Sequence, residues 1–135
     1  MNKDRTIREW FSLLLATSLL LAHQTASAQQ PVKQGENLFM AHCAKCHGRS
    51  GEGFLQLYPP IHNTRYLKEK VDQMPCIIRN GMRGSIEVDG ITFNQIMPGN
   101  QRISVEDMAV LINYLQKKWG HPITELTIAE PIRCE

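Results

Sequence analysis

The chain has 135 residues, enough for one domain and not two. Hydrophobic residues make up 42% and charged residues 21%, an ordinary globular balance that excludes a disordered chain. Fifteen basic side chains against thirteen acidic ones leave +2, too weak a charge to imply nucleic acid or anionic lipid as a partner.

Residues Met1–Trp10 carry Lys3, Arg5 and Arg8, and the apolar run Phe11–Ala22 follows. Ala26-Ser27-Ala28 then supplies an A-x-A cleavage pattern. This order predicts a secretory signal peptide over residues 1–28, cut after Ala28. The apolar run is about a dozen residues, short of the roughly 20 that cross a bilayer, so no stable membrane insertion of the mature chain is expected. Removing residues 1–28 leaves 12 basic side chains against 11 acidic ones, a net charge of +1. Any steering of a partner must then come from a local patch and not from the global field.

After Pro31, the apolar positions Leu38, Phe39, Ala41 and Ala44 recur at helical spacing and predict a helix over Lys33–Cys46. It runs into Cys43-Ala44-Lys45-Cys46-His47, and Gly48 is placed to turn the backbone. Two thiols three positions apart on a helical turn can each add across one vinyl group of a haem. The histidine that follows can ligate the iron beneath the ring. This C-x-x-C-H spacing is a specific signal for attachment of a c-type haem. A thioredoxin-like motif would need a βαβ pattern around the cysteines, and none is present. A zinc site would need two further ligands at short spacing. Export agrees with the haem reading, because such attachment takes place outside the bacterial cytoplasm, where disulfides also persist.

On these residues, 33–119 resemble a single-haem class I cytochrome c. The resemblance implies a small all-α fold, three to five helices wrapped round one haem c whose iron is bound by a histidine and a methionine. Gly35 and Phe39 resemble the family's first helix, and Leu111 and Tyr114 its contact on the last. Residues Gly48–Pro60 are rich in glycine and proline and read as a loop. By resemblance, a proline carbonyl here accepts a hydrogen bond from the axial histidine. Pro59, with Ile61 two positions on, matches that spacing, and Pro60 stays open. His62 reads as a surface residue, and as the spare ligand should the methionine assignment fail.

Asn63 or Thr64 is expected to cap a helix through Tyr66, Leu67 and Val71 towards Met74. Pro75 is expected to interrupt it, with Cys76–Asn80 resuming as a short helix that Gly81 stops. Two alternating runs around Asp89-Gly90 predict a minor β-hairpin near 86–93. Met97-Pro98-Gly99 follows, where the resemblance places the second axial ligand, Met97, on a loop. Met74 also precedes a proline but is read as ending a helix ahead of that loop. Met82 is the third choice, and Met40 and Met108 read as gap-filling core residues. Ser104 and Asp107 approach a capping box for a final helix. Met108, Leu111, Ile112, Leu115 and Trp119 form its apolar side, Lys117 and Lys118 suit its C-terminal dipole, and Gly120 stops it.

The expected organisation is a signal peptide (1–28), a cytochrome c domain (29–120) and a C-terminal extension (121–135). Cys134 in the extension and Cys76 are the cysteines outside the C-x-x-C-H site, and an oxidising compartment predicts a disulfide between them. The expected role is one-electron transfer in the periplasm between redox protein partners, without catalysis of a substrate reaction. Lys45, Gln95 and Asn100 are the candidate docking rim; Tyr58, Arg79, Arg83 and Asn94 are candidates for the haem propionates by chemistry alone. Two other readings stay open: an electron-accepting subunit of a larger oxidoreductase, and a gas-binding haem sensor with Met97 weak or absent as ligand. Peroxidase chemistry is a weaker option, because the chain has one C-x-x-C-H only.

Overall fold

The computed structural model describes residues 30–120, 126–128, 132 and 134. The expected signal peptide lies outside the described residues. The chain divides into Met1–Pro31 and Val32–Glu135, and the second unit carries the fold. Among the described residues, no helix is long and apolar enough to cross a membrane.

The first expected helix is two pieces. Residues 30–42 form α1, the backbone leaves regular helical geometry at Cys43 (φ −119°), and α2 (Ala44–His47) resumes. The hydrogen bond from Cys43 N to Phe39 O (2.8 Å) and that from His47 N to Cys43 O (3.0 Å) keep the two in one path. Gly48 then ends α2 as a C-cap at φ +80°.

Helix α5 (Val105–Trp119) is the element on which the others pack. Ser104 Oγ caps it by accepting from Asp107 N at 3.0 Å, with Glu106 and Asp107 in the first turn and Lys117 and Lys118 in the last. Helix α1 meets it at Gly35, where a Cβ would run into the Tyr114 side chain and lie 3.0 Å from the Val110 carbonyl. Phe39 inserts beside this contact, 0% exposed, with its ring 5.2 Å from Trp119 and 6.4 Å from Tyr114. Phe39→Ala is expected to cost about 3–5 kcal/mol, read as a lowered midpoint in denaturant with an unchanged slope.

The middle of the chain departs from the expected single helix. Thr64 Oγ1 accepts from Leu67 N at 3.2 Å and caps α3, but α3 (Arg65–Glu69) is only five residues long. A 3₁₀ turn (Val71–Gln73) and α4 (Met74–Asn80) follow. Pro75 therefore opens a helix instead of interrupting one. In a first turn its missing N–H has no intrahelical partner to lose, and its fixed φ suits the helix. Met74 begins α4 and does not end α3.

Among the described residues, four short strands complete the fold: β1 (Gly81–Met82), β2 (Ile86–Val88), β3 (Ile91–Phe93) and β4 (Met97–Pro98). Strands β2 and β3 make the expected hairpin, pairing Ile86 with Phe93 and Val88 with Ile91. Asp89 (φ +49°) and Gly90 (φ +84°) form its turn, the two successive left-handed residues a tight hairpin requires. The extension returns over α5: the Asn113 side chain accepts from Leu126 N (2.8 Å) and donates to Leu126 O (3.0 Å). Leu126, Ile128 and Ile132 pack against the core, and Cys134 is bonded to Cys76 of α4 with a Cα–Cα distance of 5.5 Å.

Candidate functional site

A largely apolar cavity opens between α2, the Tyr58–Ile61 loop, α3, α4 and the strands β1, β2 and β4. It encloses about 1220 Å³ of empty space, counting the part that opens to solvent. Cys43, Cys46, His47, Pro59 and Met97 all line it.

The Cys43 and Cys46 thiols are both free. Burial, with the Cys46 sulfur second, pushes the Cys43 thiol up to about 11, so it stays protonated at neutral pH. His47 Nδ1 lies 2.9 Å from the Pro59 carbonyl oxygen. A carbonyl only accepts, so Nδ1 donates and Nε2 keeps the lone pair that a metal can take. Burial holds the imidazole below the ordinary histidine range, while the Pro59 hydrogen bond works against that shift. The result favours a neutral ring at physiological pH. The loop is held to α2 by the bond from Gly53 N to His47 O at 2.7 Å.

Met97 stands on a two-residue strand and not on a loop. Strands β1 and β4 are antiparallel, with Gly81 opposite Pro98 and Met82 opposite Met97. Gly81 makes this possible: its φ is +75°, and a Cβ there would lie 2.8 Å from the Pro98 carbonyl carbon. The next residues are laced to the end of α4. Asn100 N donates to Ile78 O (2.8 Å), Arg79 Nη1 to Gln101 O (3.0 Å), and Gln101 Nε2 to Arg79 O (2.6 Å). The Asn100 side-chain amide also donates to His42 Nδ1 at 3.2 Å, tying the Met97 segment to the end of α1.

The remaining candidates separate by position. His62 Nδ1 meets the Ser50 carbonyl at 3.2 Å, and His62 is absent from the cavity lining. Tyr58 lines the cavity, whereas Arg79 is engaged with Gln101, and Arg83 and Asn94 are exposed away from the lining. Lys45 and Gln95 are exposed, and Gln95 reaches the cavity wall. Met108 is fully buried in the core and Met40 packs against it. Sequence reasoning ranks Met82 third and gives Tyr66 no role, yet both line the cavity, and Tyr66 Oη donates to Met82 Sδ at 3.9 Å. Two-residue strands carry no periodicity, so the Met82–Met97 pairing has no local signal.

Residues 32–119 match the family model described as Cytochrome c. The chain belongs to the cytochrome c family. Cytochrome c-552 of Thermus thermophilus is 29% identical over 84 residues, covering 59% of this chain and 64% of that protein. A second cytochrome c-552, from a named strain of Thermus thermophilus, shows the same 29% identity over 84 residues and is covered to 57%. The chain thus spans about three fifths of the length of these relatives. The similarity supports a class I cytochrome c, and the helices with two small antiparallel ladders agree with its small fold. The cytochrome c family carries haem c, attached covalently, with its iron. The cavity fits that group: two free thiols and a histidine with a fixed tautomer share one apolar wall system with a thioether.

Proposed function

We propose that the chain is an exported one-electron carrier of the periplasm, its signal peptide removed after Ala28. One observation carries this: Cys43, Cys46, His47 and Met97 line a single apolar cavity, with His47 Nδ1 bound to the Pro59 carbonyl. When bound, the haem supplies a reversible one-electron change at its iron. Cys43 and Cys46 would hold it through two thioether links. His47 Nε2 and Met97 Sδ would hold its iron, and the Pro59 carbonyl would fix the plane and basicity of the imidazole. The Met97 thioether is soft and uncharged, which favours the reduced metal. Leu67, Ile77, Ile78 and Val88 give the cavity apolar walls. With His47 and Met97 both holding the iron, the site would activate no substrate, and its partners would be redox proteins docking at the Lys45, Gln95 and Asn100 rim. The Cys76–Cys134 bond persists in the oxidising compartment.

The test is an optical redox titration of the mature haem-loaded protein, repeated under carbon monoxide. A single high-potential transition with a thioether–ferric charge-transfer band, unaffected by the gas, is expected. A low potential without that band, or ready carbon monoxide binding, overturns the assignment of Met97 and the carrier role with it.

A further inference from the structure

We propose that Met82 is a second thioether ligand for the same iron, held in reserve beside Met97. The proposal rests on the His47–Met97 reading above.

Directly opposed residues of an antiparallel ladder put their side chains on the same face, with Cβ atoms about 4.5–5.5 Å apart. Met82 and Met97 are such a pair, and both line the cavity. A methionine has three rotatable side-chain bonds and a polarisable sulfur, so two neighbouring ones can bring sulfur to one point. The other methionines are differently placed. Met108 belongs to the core and Met40 packs against it. Met74 lines the cavity, but it also packs against the core, and its sulfur accepts from the buried amide of Gln116 at 3.8 Å. Met82 packs against none of the core cluster among the described residues. Its sulfur has one polar contact among the described residues, the Tyr66 hydroxyl at 3.9 Å. A thioether is a weak acceptor, so leaving that contact costs little. Met82 therefore stands on the ligand face with a side chain that the core does not hold.

The consequence is substitution in place. When Met97 leaves the iron, Met82 takes the same position, and small exogenous ligands stay excluded. The anchor for both is the close approach of Gly81 to Pro98, which keeps the ladder shut whichever sulfur is bound.

Met97→Leu, Met82→Leu and the double variant, each loaded with haem, test this. Leucine keeps volume and apolarity, so the fold is retained. Expected: Met82→Leu keeps the thioether–ferric band, Met97→Leu also keeps it and excludes carbon monoxide, and the double variant loses the band and binds the gas. Loss of the band in Met97→Leu alone overturns the proposal and leaves the Met97 assignment standing. Loss of the band in Met82→Leu but not in Met97→Leu overturns the Met97 assignment, and this proposal with it. A band that survives in the double variant assigns the ligand elsewhere, Met74 first, and overturns the proposal as well.

Discussion

Cys134→Ser is expected to lower the stability of the haem-loaded protein by about 4 kcal/mol, the loop-entropy value for a bridge between cysteines 58 positions apart. In a domain of this size that corresponds to a fall in melting temperature of roughly 15–30 °C. The effect should reach the site as well as the fold. Cys76 lies in the first turn of α4, and the last residues of α4 hold the Met97 segment through Ile78 and Arg79. The extension is joined to α5 through Asn113 and packs Leu126, Ile128 and Ile132 on the core, so cutting the bridge leaves those contacts to hold it. Thermal melts of the wild type and the variant, each with and without reductant, measure the difference. A change below about 1 kcal/mol, a quarter of the loop-entropy value, would show that the fold does not rely on the bridge.

Gly81→Val is expected to abolish thioether ligation while the haem remains covalently attached. A β-branched residue at φ +75° is strained by about 1–3 kcal/mol, and its Cβ would strike the Met97 carbonyl and Gly99 N. Overpacking against backbone adds about 1–3 kcal/mol more, because neither strand has a flexible side chain there to yield. The relief available is to part β1 from β4, which carries Met82 and Met97 away together. Cys43 and Cys46 lie on a separate segment and keep their links. The variant should therefore stain for haem in a denaturing gel, lack the charge-transfer band, and bind carbon monoxide when reduced. A normal band in Gly81→Val would mean that the ladder does not position the ligand.

Much of this protein is written in short stretches. The spacing Cys43-Ala44-Lys45-Cys46-His47 puts its three reactive groups on about one helical turn whatever surrounds them, so its chemistry is readable without a fold. Asp89-Gly90 between two alternating runs forms the hairpin because only a few turn types match strand twist. Ser104 caps α5 and Gly35 lies beneath Tyr114, as helix-end and helix-crossing signals imply. Pro75 is misleading because one proline both stops a helix from within and starts one from its first turn, and the pattern alone does not separate the two.

The sequence by itself thus determined the family, the C-x-x-C-H spacing, the hairpin and the last helix, all set by covalent spacing or by contacts within a few residues. The tertiary structure decided between Pro59 and Pro60 as the carbonyl that meets His47, and it alone decided that His62 turns to Ser50, that Asn100 joins His42, and that Met82 stands opposite Met97. Each of these is a pairing between residues distant in the chain, and no local propensity encodes it. Such contacts form because α5 and the cavity walls bury their apolar faces together, and that burial fixes which polar groups and which sulfurs come within reach.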